Sequence, residues 1–227
     1  MTREERSLLE GIDKMLRAEE VRAQIQPVVE RVRAELQRKT TAVMTWEPIS
    51  LTTYGSALPP EIRSSWVFIL RAGANTGAER HPNSHQRMMS FEGSGDMQVE
   101  DRCRKSDVSG QRADVSGFRN RNPQDSSQGS EKSETLNAQR STSNAQVKPQ
   151  SAEPGGKWQS NVLVSDPHAL LERRWISIPQ NVWHQPVVSK EADWVVVSFH
   201  TVPAEELIEE RPIDVGAEGT RQMRYVG

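Results

Sequence analysis

Along residues 3 to 38 the apolar side chains fall at Leu8, Leu9, Ile12, Met15 and Leu16, then at Ile25, Val28, Val29, Val32 and Leu36, with Glu and Arg between them. Steps of three and four predict amphipathic helix with one apolar stripe. Pro27 lacks a backbone donor, so the pattern predicts two helices, the second beginning near it. This helical extension, residues 1 to 40, is expected to cover apolar surface on the main domain or on a second subunit.

From about residue 42 the texture changes to short β-rich runs: AVMTW, ISLTTY and SWVFILRA, then QRMMSFE, KWQSNVLVS, RRWISI and DWVVVSFHTV. Gly, Pro, Asn and Asp punctuate them, and no helical pattern intervenes. Such spacing predicts an antiparallel sandwich or barrel. Trp66, Trp175 and Trp194 are expected to pack in its core, and Phe68, Met88 and Val197 to line its interior. His200 alternates with Phe199 and reads as a structural strand histidine.

One segment breaks the pattern. Residues 101 to 156 are crowded with Ser, Gln, Asn, Arg and Lys, contain one aromatic residue, Phe118, and show neither period 2 nor period 3.6. They hold too little apolar surface to offset the entropy of ordering, so a disordered insertion in a surface hairpin is expected. The domain is then residues 41 to 210, interrupted by 101 to 156, with a C-terminal tail at 211 to 227.

Composition narrows the function classes. The 29 Lys plus Arg against 31 Asp plus Glu leave a net charge of -2, which argues against nucleic-acid binding through a broad basic surface. No apolar run reaches membrane-spanning length and none resembles a signal peptide, so a soluble cytoplasmic protein with no membrane partner is expected. Cys103 stands alone, which excludes an intrachain disulfide and a thiolate zinc site.

Two stretches carry candidate chemistry. In GAERHPNSHQRMMSFEG, residues 77 to 93, strand alternation places Glu79 and His81 on one face, and Pro82 and Asn83 turn the chain before Gln86. In WISIPQNVWH, residues 175 to 184, Pro179 and Asn181 form a turn just before His184. The pair resembles the two motifs of the cupin superfamily. Six residues separate Gln86 from Gly93, the spacing of that family's Glu and Gly, and a gap of four residues separates His81 from Gln86, so that Glu79 and His81 align with its His-x-His pair. Pro179, Asn181 and His184 align with its second motif, with Asn in place of Gly, a residue that tolerates positive φ.

The resemblance implies a mainly β fold, a cupin-like double-stranded β-helix or jelly-roll barrel, behind the N-terminal helices. It also implies a metal site at Glu79, His81 and His184. Glu for the first His and neutral Gln86 for the carboxylate leave two imidazoles and one carboxylate, the set of a facial triad associated with non-haem Fe(II). Mn, Ni and Zn fit the same ligands. Gln86, with Arg71 or Arg87, is expected to position substrate, while His81 and His85 form a rival pair that a strand would separate by about 13 Å. The expected function is a metal-dependent enzyme acting on a small anionic molecule, with oxygenase chemistry favoured. A non-catalytic binding or sensing protein is the alternative, and a homodimer is expected for either.

Overall fold

The computed structural model describes residues 1–101 and 157–212, and the backbone of one further strand at 220–224. Helix α1 is Arg3–Arg17, capped by the Thr2 hydroxyl, which accepts from the Glu5 N–H at 3.2 Å, and flanked by Glu4 and Glu5 at its start and Lys14 and Arg17 at its end. Ala18 leaves helical geometry at ψ 132°, and α2, Glu19–Arg38, begins at once. The break therefore falls at Ala18, and Pro27 lies inside α2, which corrects the expected boundary. An interior Pro costs about 3 kcal/mol. Ile25, Val28, Val29, Val32 and Leu36 are all buried on that helix, each worth about 1.5–3 kcal/mol, and their packing prevails.

Strands β1 (Met44–Pro48), β2 (Ser64–Leu70), β3 (Gln86–Glu92), β7 (Trp175–Ile178) and β9 (Trp194–His200) form an antiparallel sheet in the order β1-β2-β9-β3-β7. Its central strand β9 is buried at every position. The reason lies on both sides. Val67, Ile69, Met89, Phe91, Val195, Val197 and Phe199 pack with Leu9, Ile12, Leu16, Val29 and Val32 of the helices. Leu70, Met88, Trp194 and Val196 point the other way, into a second core. Hence DWVVVSF reads as a continuous apolar run, the signature of a strand covered on both faces. Val197 thus faces the helices and does not line the interior, whereas Met88 does.

The second layer is built on β4 (Ser94–Glu100). Strands β5 (Trp158–Gln159) and β6 (Val162–Val164) pair along one edge of it, and β8 (His184–Val187) along the other. Residues 75 to 80 continue the layer beyond β8 through single bridges, Asn75 to Val187 and Glu79 to His184. Arg80 then bridges to Glu210 of β10 (Ile208–Pro212), which pairs with β11 (Thr220–Arg224). The segment expected to trail as a tail from 211 is in this part a hairpin. Gly93, at φ 76°, passes the chain from β3 to β4, and a Cβ there would meet the Asp193 carbonyl oxygen at 2.7 Å.

Among the described residues no sheet closes on itself: there are separate sheets of five, four and two strands. The expected jelly-roll barrel is therefore corrected to a mixed arrangement of two helices over open antiparallel sheets. Side chains join the two main layers, through Leu70, Met88, Ile176, Ile178 and Trp194 from the first and Met97, Leu163 and Val188 from the second. The disorder expected for 101 to 156 falls, from residue 102 onward, outside the described residues. Among the described residues no helix is long and apolar enough to cross a membrane.

Candidate metal centre

The two motif stretches meet between the layers. Glu79 and His184 exchange backbone hydrogen bonds, at 2.8 Å from the Glu79 amide and 2.9 Å from the His184 amide. The Pro179 turn is held in place by Asn181, the single non-glycine residue with positive φ among those described, at 62°. Its amide donates to the His81 carbonyl at 2.8 Å. Local geometry thus carries Glu79, His81 and His184 inward together, and one ligand atom from each lies within 4.8 Å of the others.

Both imidazoles are oriented by backbone. His184 Nδ1 lies 3.0 Å from the Val182 carbonyl and His81 Nδ1 lies 3.2 Å from the Ile208 carbonyl. A carbonyl only accepts, so each ring carries its proton on Nδ1 and presents the Nε2 lone pair, the arrangement that metal-bound histidines adopt. His184 is fully buried, yet its Nε2 has no hydrogen-bond partner. Glu79 Oε1 lies 3.5 Å from it, longer than an ordinary hydrogen bond. Two imidazole nitrogens and a carboxylate oxygen converge there, one of the nitrogens buried without a partner, and such a donor set fits a divalent metal.

Electrostatics keep the donors ready. Burial would raise the Glu79 carboxyl, but with both rings neutral the Arg211 guanidinium beside it favours the charged form and holds it below its ordinary value. Burial, with neighbouring His184, lowers His81 to about 4. Arg211 Nη2 donates to Glu79 Oε2 at 2.6 Å. On the opposite face of the same segment Arg80 pairs with Glu210 at 2.7 Å and lies 4.5 Å over the Trp183 ring, which places Trp183 outside the cluster.

His200 keeps the structural role expected for it, with Ser84 Oγ 3.3 Å from its Nδ1, and it packs beside the cluster. Its ring stands edge-on to His81 with centroids 4.8 Å apart. Its Nε2 lies 3.0 Å from Ser198 Oγ, which accepts from Gln86 Nε2 at 3.2 Å. Burial, and then His81 and His184, push His200 well below its ordinary value, so this wall of the site is neutral. Gln86 Oε1 is buried without a partner and leaves an acceptor there.

Arg71 and Arg87 do not reach the site, which corrects their assignment to substrate. Arg71 donates to the carbonyls of Leu36, Lys39 and Ala42, closing the end of α2. Arg87 shares the helix-facing side of β3 and pairs with Glu5 of α1 at 2.7 Å. His85 is held on that side too, 2.6 Å from Ser177 Oγ and 3.8 Å from Glu5, so the rival pair with His81 is not brought together. Arg211 went unread in the sequence because the bridge from residue 80 to 210 spans most of the chain and leaves no local pattern.

No protein-family profile matches the chain, and no curated protein does. Among solved structures it is similar to CapF with the inhibitor 3-isopropenyl-tropolone, at 9% identity and TM-score 0.36 over 65% of this chain and 27% of that one. It is similar to oxalate decarboxylase from Lactobacillus farciminis as a formate complex, at 8% and 0.37 over 71% and 29%. A dTDP sugar isomerase from Desulfovibrio desulfuricans G20 matches at 12% and 0.41 over 75% and 74%. The chain spans well under half the length of the first two proteins. At such scores these are likenesses and nothing more.

Proposed function

We propose that this chain is a metal-binding cupin enzyme in which Glu79, His81 and His184 hold one divalent transition metal, Fe(II) in the favoured case, and that it acts on a small anionic organic molecule. The observation that carries the reading is the buried His184 Nε2, unpartnered and directed at Glu79. When bound, the metal would supply a Lewis acid with coordination positions left for substrate and, in oxygenase-type chemistry, for dioxygen. The protein's own groups would do the rest. His81 and His184, fixed by the Ile208 and Val182 carbonyls, keep their lone pairs aligned. Glu79, Glu209 and Glu210 face Arg80 and Arg211 nearby, so a divalent cation leaves the region about +1 and favours an anion. The neutral row of His200, Ser198 and Gln86 would orient the substrate's polar end.

The test is reconstitution. Metal-free protein is loaded with Fe(II), Mn(II), Ni(II) or Zn(II), and its melting temperature and dioxygen uptake are followed over a panel of small carboxylates. A rise in melting temperature with metal and carboxylate-dependent uptake with Fe(II) support the reading. No turnover of any carboxylate by any metal form overturns the enzymatic part.

A second reading, a non-catalytic binding protein, is favoured by Glu79 Oε2, which Arg211 already satisfies without a metal. In that case carboxylates bind the metal-free protein and added metals leave its melting temperature unchanged.

A further inference from the structure

Arg211 lies on β10, in the hairpin that trails the main layers, yet its guanidinium is fixed from three directions. Nη2 donates to Glu79 Oε2 at 2.6 Å, Nη1 to the Thr76 carbonyl at 2.7 Å, and Nε to Glu209 Oε1 at 2.5 Å. Glu209 is fully buried. A planar fork held at three corners cannot swing, so the Glu79 oxygen it binds is fixed as well. The other oxygen, Oε1, faces His184 Nε2.

We propose that Arg211 is the positioning residue of the centre: it holds one oxygen of Glu79 and leaves the other to the metal, making the C-terminal hairpin part of the metal site. This rests on the metal reading of the cluster. The pairing explains why a cation can stand beside a prospective cation site. Glu209 offsets the guanidinium charge, so Arg211 orients Glu79 without adding net positive charge next to the metal. It also accounts for a one-oxygen carboxylate, which keeps coordination positions open for substrate where a two-oxygen grip would fill one.

An arginine that only fastened the hairpin would show the same contacts, so the experiment reads the metal's surroundings. Co(II) is titrated into metal-free full-length wild type, Arg211→Lys, and the double variant Arg211→Gln with Glu209→Gln. The double variant removes one charge of each sign and leaves the local net charge unchanged, so it isolates orientation from field. The proposal expects Co(II) affinity to fall about 10- to 100-fold in the double variant, the usual consequence of losing a partner of a metal ligand. Its visible d–d bands should weaken as the freed second oxygen of Glu79 joins the ion, and Arg211→Lys should stand between the two. Wild-type affinity and bands in both variants overturn it. If the double variant does not fold, Arg211→Lys alone decides: weakened binding with altered bands supports the proposal, and wild-type behaviour overturns it. Failure of wild type to bind Co(II) at all is a different result, which overturns the metal reading itself and this inference with it.

Discussion

The amide of Asn181 donates to the carbonyl of His81 across 2.8 Å, and this bond ties the turn before His184 to the segment that carries Glu79 and His81. Asn181 holds it at φ 62°, a region that costs most side chains about 1–2 kcal/mol and costs glycine nothing. Asn181→Val is therefore expected to destabilise the protein by about 1–2 kcal/mol in urea unfolding and to loosen metal binding by displacing His184. Asn181→Gly should stay within about 0.5 kcal/mol of wild type. Equal stability of the two variants would show that the turn is not strained for ordinary side chains.

Asp13 fastens α1 to the first sheet. Its Oδ1 accepts from Trp175 Nε1 at 2.8 Å and pairs with Arg174, whose side chain is buried. Removing one member of a buried pair strands the other charge, at about 3–5 kcal/mol. Asp13→Ala should lose that much by chemical denaturation. A loss under about 1 kcal/mol would mean that solvent already reaches Arg174.

Acid should destabilise the metal-free protein. His81 protonates at about 4 when folded and at 6.5 when not, so between those values the unfolded state binds more protons and stability falls as the pH drops. His200 acts in the same direction, and Glu79, lowered from 4.5, extends the loss below that pH. From pH 7 to pH 5 His81 alone accounts for about 2 kcal/mol. Urea midpoints at the two pH values test this, with His81→Asn expected to flatten the slope. A midpoint independent of pH across this window would contradict the assigned burial of the two rings.

The helices are a structural layer of the domain. Deleting residues 1 to 38 uncovers Val67, Ile69, Met89, Phe91, Val195, Val197 and Phe199, each worth about 1.5–3 kcal/mol when buried. The truncated chain is expected to aggregate or to bind a hydrophobic dye strongly. A soluble, cooperatively unfolding truncation would show that the sheet does not need the cover.

Features with a local cause were legible in the sequence. The stripe from Leu9 to Leu36 has helical spacing, the seven apolar-rich positions of β9 have strand composition, and Asn181 sits where a positive φ is required. Features decided by distant partners were not. Pro27 is carried through α2 by packing on a sheet that lies later in the chain. Alternation rightly set His200 opposite Phe199, but only the helices' claim on the Phe199 face turns His200 toward His81. Arg71 and Arg87 looked available until the end of α2 and Glu5 of α1 took them. Closure of the sheets was expected from the motifs' resemblance, whereas edge pairing depends on the path of every strand.

Whether Glu79, His81 and His184 hold a metal is read by elemental analysis of natively purified full-length protein beside His184→Ala. Wild type should carry close to one transition-metal ion per chain. His184→Ala should lose most of that metal, because two protein ligands remain, and Gln86→Ala should retain it. Wild type that carries no metal and takes up none when Fe(II), Mn(II), Ni(II) or Zn(II) is supplied, or His184→Ala with wild-type metal content, would contradict the metal site.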